Sequence, residues 1–182
     1  MSREDINMAD AQQKAAAKQF VKDWTGHGDE KQETQRFWMA LLQKVYGVAE
    51  PDKAIEFEVR VKLDHTSFID GYIKDTHVLI EQKGMDIDLK KGYKQSDGSM
   101  LTPFQQARRY AGYLPHNMNP RWIVVCNFKE FHSHDMNRPT DTPKLSSWRS
   151  WKRNTTVCNS WWIPAMSESR KKCRFPCRQA IW

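Results

Sequence analysis

The sequence predicts a mixed α/β domain: a helix, three antiparallel strands, a helix and a further strand, preceded by an N-terminal helix. Three observations predict it. Hydrophobic spacing is helical as far as Tyr46, then switches to a period of two over Ile55–Leu63, Ser67–Lys74 and His77–Lys83. A second helical segment opens at Thr102-Pro103, after a polar, Gly-containing stretch from Met85 to Met100. The run RWIVVCNF, Arg121–Phe128, is continuously apolar between turns, as in a strand covered on both faces. At 182 residues, 39% of them hydrophobic, the chain suits one domain and is short for two.

Taken in order, residues 10–24 form a helix with a weak apolar stripe at Ala15, Phe20 and Trp24, broken by Thr25-Gly26-His27-Gly28. Residues 1–28 are thus an N-terminal helix and linker. Asp29 has the character of an N-cap, with Gln32 at the capping-box position. The helix it opens runs to about Tyr46 with Phe37, Leu41 and Val45 on its apolar face, and Gly47 stops it. The three strands follow, with Asp75-Thr76 at the centre of the turn between the second and third. Thr102 caps the next helix, with Pro103 at N1 and Gln105 at N3, and Pro115 lies beyond its end. Phe131–Asp135 reads as a short edge strand. These elements make residues 29–144 the main domain.

Composition excludes several classes. No apolar run is long enough to cross a bilayer. The first thirty residues are charged and rich in Ala and Gln, unlike a secretion signal, and four Cys without a paired framework suit a reducing compartment, so a cytoplasmic location is expected. The net charge of +7 invites a nucleic-acid reading, but its position matters. Residues 145–182 hold eight Lys/Arg against one acid, Glu168, which leaves 21 basic and 21 acidic residues before them. The main domain is neutral.

The chemistry sits on the second hairpin. A turn centred on Asp75-Thr76 sets Asp70 opposite Glu81, and Glu81 shares a strand face with Lys83. Two carboxylates facing one another among Phe68, Ile69, Val78, Leu79 and Ile80 need a compensating cation. Mg²⁺ fits as a hard ion held by one or two carboxylates, water and phosphate oxygens, and Mn²⁺ is an alternative. Lys83 could then polarise a water or steady transition-state charge. The bland alternative is an edge hairpin on which Lys83 simply pairs with Glu81. Glu33 lies on the apolar face of its helix with Phe37 and Leu41, an odd place for a carboxylate unless the helix dipole alone favours it. Gln106 and Tyr110 share a face of the later helix at i, i+4.

Together these features resemble the PD-(D/E)XK nuclease core, whose first helix carries a carboxylate and whose second carries Q-x-x-x-Y. The segments FWMALLQKVYGV, FEVRVKLDHTSFIDGYIKDTHVLIEQKG, LTPFQQARRYAGYLP and PRWIVVCNFKEFHSHDMNRP are similar to the N-terminal nuclease region of the MmeI-like (type IIL) restriction–modification enzymes. That likeness spans about Phe20 to Pro139. It implies a Mg²⁺-dependent endonuclease acting on double-stranded DNA, with Asp70, Glu81 and Lys83 as the catalytic triplet, Asp70 and Glu81 as the metal ligands, and Glu33 and Gln106 as further site residues. Gly84 departs from the small polar residue expected after E-x-K. No Gly-rich S-adenosylmethionine loop, Asn-Pro-Pro-aromatic motif or DNA-recognition region is present in these residues.

Residues 145–182 look foreign to the rest. They hold five of the eight Trp and three of the four Cys and show no regular period. CRFPC lacks the further ligands of a metal site. Trp and Met have single codons, which forces parts of the other reading frames, and one of these lets SSWRSWKRNTTVCNSWWIPAM read LEELEKEYYRLQFLVDTGN, an amphipathic helix and turn. The expectation is a frameshift near Pro143–Ser146, an out-of-frame tail without a native fold, and exposed Trp148, Trp151, Trp161 and Trp162. Three functional classes compete: an endonuclease domain separated from its methyltransferase, a catalytically inactive remnant of a decayed restriction–modification gene, and a DNA-binding fragment that uses the basic tail.

Overall fold

The computed structural model describes residues 3–62 and 66–152. Helix α1 spans Arg3–Asp23, α2 Glu30–Lys44 and the short α3 Pro51–Ala54. Strands β1 (Ile55–Lys62), β2 (Thr66–Ile73) and β3 (Val78–Gln82) follow, then a small hairpin of β4 (Tyr93–Lys94) and β5 (Met100–Leu101). The described residues close with α4 (Pro103–Ala111), a 3-10 turn at His116–Met118, β6 (Trp122–Cys126), β7 (Glu130–Asp135), β8 (Lys144–Ser147) and α5 (Trp148–Lys152). The main sheet has the order β1-β2-β3-β6-β7-β8, antiparallel throughout except for the central β3–β6 pair. This is the mixed α/β architecture expected, with helix, three antiparallel strands, helix and strand in that order.

Local chemistry places the helix starts. The Asp29 side chain accepts the Gln32 N–H at 2.9 Å. The reciprocal bond comes from Glu33, whose Oε2 accepts the Asp29 N–H at 3.0 Å, and not from Gln32. At α4 the capping box is complete, with Thr102 and Gln105 each bonded to the other's backbone N–H. Gly26 and Gly47 adopt φ of 91° and 71° where α1 and α2 give out, a conformation that costs an L side chain strain.

The sheet lies between two apolar layers. On β3, Val78 and Ile80 face α1, α2 and α5, while Leu79 faces Ala107 of α4 together with Ile123 and Val125. Every residue of β3 and β6 is buried, which accounts for the unbroken apolar run in β6. Phe37 centres the larger layer, in edge contact with Phe20, Trp24 and Phe128 at 5.3, 5.1 and 4.9 Å between ring centroids.

Two expectations are overturned here. Phe131–Asp135 is no edge strand, because β8 pairs with its outer side. Trp148 and Trp151 are not exposed; their relative accessibilities are 9% and 2%. Trp151 stacks on Phe131 at 5.3 Å and 14°, and its Nε1–H donates to Ser146 Oγ at 2.7 Å. A boundary at Leu145 divides strand β8 and separates α5 from the core it packs on. Trp161, Trp162 and the CRFPC segment lie outside the described residues.

Candidate active site

Asp70, Glu81 and Lys83 converge where β2 and β3 part. The ladder between these strands pairs Ile73 with Val78, Tyr72 with Leu79 and Gly71 with Ile80, the register expected for a turn centred on Asp75-Thr76. Beyond Gly71 the backbone ladder stops. The Asp70 carboxylate itself accepts the next N–H, that of Gln82, at 2.7 Å. Past this point β2 stays with β1 and β3 stays with β6, so Asp70 stands in the fork of a Y.

Glu81 points to the α4 side of the sheet, in step with Leu79, and Lys83 follows it. The Lys83 ammonium donates to Glu81 Oε1 at 2.6 Å and lies 3.8 Å from Glu30 Oε1. Glu81 is only 1% accessible, and its second oxygen, Oε2, is buried with no hydrogen-bond partner. Burial pushes the Glu81 carboxyl up to about 8 and that of half-buried Asp70 up to about 6, in each case against the opposing pull of Lys83. Burial alone would lower Lys83; Glu81 beside it, with Asp70 and Glu30, holds it above its ordinary value instead. Opposed groups with shifted titration in one fork make it the candidate functional site of the described residues.

The residue between the two, Gln82, anchors the strand from behind. Its Oε1 accepts the Trp38 Nε1–H at 2.8 Å, and its Nε2 donates to the Lys83 carbonyl at 2.9 Å. The fork is thereby tied to α2 through a buried bond.

Glu33 and Gln106 are not brought to the triplet. Glu33 is consumed by its own turn: its oxygens take His27 Nδ1 at 2.6 Å, the Gly28 N–H at 2.6 Å and Arg36 at 2.9 Å. Burial opposes ionisation there, but the bonds from His27, Asp29 and Gly28 outweigh it and hold the carboxyl below its usual value. The α2 carboxylate at the site is Glu30, one turn earlier. Its Oε2 accepts the Gly84 N–H at 2.8 Å. Glu30 gets there because the preceding loop docks on the end of β3, where Met85 N–H donates to the Gly28 carbonyl at 3.2 Å. A side chain at Gly28 would overlap Met85, so the approach requires glycine. At Gly84 a Cβ would meet nothing closer than 3.8 Å, so the departure from a small polar residue there is not sterically enforced. Gln106 donates to the Tyr110 hydroxyl at 3.3 Å, in keeping with their shared face, and lines a crevice of about 20 Å³ between α4 and the β4–β5 hairpin. Among the described residues no hydrogen bond joins it to the triplet.

The donor set fits a hard divalent cation: the carboxylates of Asp70 and Glu81, near enough to act on one another, the second with an unsatisfied buried oxygen. Among the described residues no three His, Cys, Asp or Glu are placed to hold a metal ion together, so a cation held here would keep water or phosphate oxygens in its remaining positions.

The family model described as MmeI, N-terminal domain, matches residues 15–153. Neither the curated proteins nor the solved structures gave a match to the chain. Among the described residues no helix is long and apolar enough to cross a membrane.

Proposed function

The chain belongs to the MmeI N-terminal domain family, and from that premise we propose that it is a metal-dependent DNA endonuclease domain. Its fold is read as the PD-(D/E)XK nuclease core, its substrate as the phosphodiester backbone of double-stranded DNA, and its setting as the cutting region of a type II restriction–modification polypeptide. The observation that carries the reading is the fork: Asp70 and Glu81 facing one another, with an unpartnered Glu81 oxygen and Lys83 alongside.

Asp70 and Glu81 would hold Mg²⁺ or Mn²⁺, which supplies Lewis-acid polarisation of the phosphoryl group and a more acidic water. The chain's own groups do the rest. Lys83, kept charged by Glu81, offers an ammonium to the negative charge that builds on the phosphoryl oxygens. Glu30 steadies the Lys83–Gly84 turn through its bond to the Gly84 N–H. Gln82 and Trp38 fix the depth of β3, so the triplet is set before substrate arrives.

Incubating plasmid with protein and Mg²⁺ or Mn²⁺ tests the proposal. Weak, sequence-independent nicking that disappears in Asp70→Ala and Lys83→Ala is expected. Cleavage surviving both substitutions would place the chemistry elsewhere. No cleavage at any protein concentration would favour an inactive remnant.

A further inference from the structure

Strand β3 hands the chain to a tight turn just past Lys83. The Lys83 N–H donates to the Cys126 carbonyl at 2.7 Å, and the Ile87 N–H closes the turn on the Gly84 carbonyl at 3.0 Å. The turn therefore moves with the Lys83 backbone as one piece. On one side it is tied to the start of α2, by the Gly84 N–H to Glu30 and the Met85 N–H to the Gly28 carbonyl. Asn127, the first residue beyond β6, ties the other side. Its Nδ2 donates to the Ile87 carbonyl at 2.8 Å. Asn127 is only 6% accessible, so water competes little for that bond. An ion pair between Lys129 and Asp86 at 3.7 Å spans the same gap, but Asp86 is fully exposed and the pair adds little.

The β6–β7 hairpin accounts for only half of what Asn127 does. Its N–H donates to the Glu130 carbonyl at 3.2 Å and its Oδ1 accepts the Glu130 N–H at 2.9 Å, which together close the hairpin turn. Neither bond uses Nδ2. The direction of Asn127 is fixed by Phe128, whose φ of 70° is left-handed and whose ring is fully buried against Trp24 and Phe37, at 6.5 and 4.9 Å between centroids. A bulky residue adopts that conformation only where its surroundings impose it, and such strain clusters where a group must be held in place.

We propose that Asn127 is a positioning residue for Lys83: through Ile87 it anchors the turn that carries Lys83, and so keeps the ammonium at the Glu81 end of the fork. The inference rests on the endonuclease reading for what Lys83 does there. The tether itself does not depend on that reading.

Amide hydrogen exchange by NMR, beside plasmid nicking kinetics, tests it. Asn127→Asp keeps the acceptor for the Glu130 N–H, removes the donor to Ile87 and sets an oxygen against the Ile87 carbonyl. Exchange at the Lys83, Gly84 and Ile87 amides is expected to quicken several-fold, with β6, β7 and the thermal midpoint close to wild type. The kcat for nicking is expected to fall about tenfold to a hundredfold with KM for plasmid unchanged. Mn²⁺ affinity by calorimetry is expected to hold, because Asp70 and Glu81 precede the turn. Asp86→Ala, which removes only the exposed ion pair, is expected to match wild type. Unchanged exchange at Lys83, Gly84 and Ile87 would overturn the proposal. So would quickened exchange throughout β6 and β7, a rise in KM in place of the fall in kcat, or an Asp86→Ala variant that behaves like Asn127→Asp. If the exchange pattern holds but wild type never cuts plasmid, the tether stands and the endonuclease reading falls.

Discussion

Replacing Glu81 with Gln is expected to destroy activity and stabilise the protein, with a gain that grows with pH. Glu81 titrates near 4.5 unfolded and is pushed up to about 8 by burial. The native state therefore holds its proton more tightly than the unfolded state. Stability from this group is fully present below about 4.5, falls as pH rises, and reaches its floor above about 8. That interval, at about 1.36 kcal/mol per pH unit, corresponds to about 5 kcal/mol of native-state penalty at pH 9. The isosteric amide escapes it, and because the value of about 8 already includes the opposing pull of Lys83, the loss of that 2.6 Å ion pair is not charged again. A gain of at most about 5 kcal/mol remains at pH 9, or up to about 10–20 °C in Tm for a domain of this size. Thermal unfolding followed by tryptophan fluorescence from pH 5 to pH 9 measures it. Wild type and variant are expected to melt together at pH 5 and to diverge steadily above it. A constant offset across that range, or a wild type that melts higher at pH 9, would refute the argument that burial of Glu81 dominates the fork.

Two further outcomes follow from other parts of the fold. Trp151→Ala is expected to cost about 3–5 kcal/mol in denaturant unfolding, since it empties a fully buried site against Phe20 and Phe131, and a loss under about 1 kcal/mol would favour the reading of this segment as an out-of-frame accident. Glu33→Ala is expected to lower stability by about 1–2 kcal/mol through loss of its N-terminal bonds, while Glu30→Ala is expected to leave stability nearly unchanged and reduce cleavage rate; the reverse pattern would return the site role to Glu33.

What the sequence disclosed was mostly what is local. The caps at Asp29 and Thr102 and the register that sets Asp70 opposite Glu81 depend on neighbours within a few residues or on strand parity. The distinction between Glu30 and Glu33 was not local. Both lie in the first turn of α2, and the docking of Gly28 on Met85, more than fifty residues on, decides which reaches the fork. The sign was present in the Gly26-His27-Gly28-Asp29 loop, because a Gly beside a cap marks a close approach. Gln106 was placed on the correct helix face with Tyr110, but the sequence could not show that the β4–β5 hairpin stands beside it. Strand β8 and helix α5 escaped notice because KLSS and WRSWK are too short to display a period. Only tertiary contact makes their Trp residues core.

The seat of Trp151 on Phe20 and Phe131 has a consequence for how the protein is made. Helix α1 emerges first during synthesis, with Phe20, Val21 and Trp24 ready for burial. The ring that covers Phe20 from the far side arrives more than a hundred residues later. At about 5–20 residues per second, several seconds pass in which the nascent chain carries an open aromatic seat. The sheet is subject to the same delay, since β3 gains its parallel partner β6 only after α4 and its flanking loops have been made. Synthesis thus runs as an unsealed box whose lid comes last among the described elements. A ribosome that stalls within α5 leaves a chain with nearly all of the secondary structure of the described residues and an unclosed core. Quality-control proteases would recognise such a product by its exposed rings, so intactness of this domain is read out at its far end, well away from the fork where its chemistry resides.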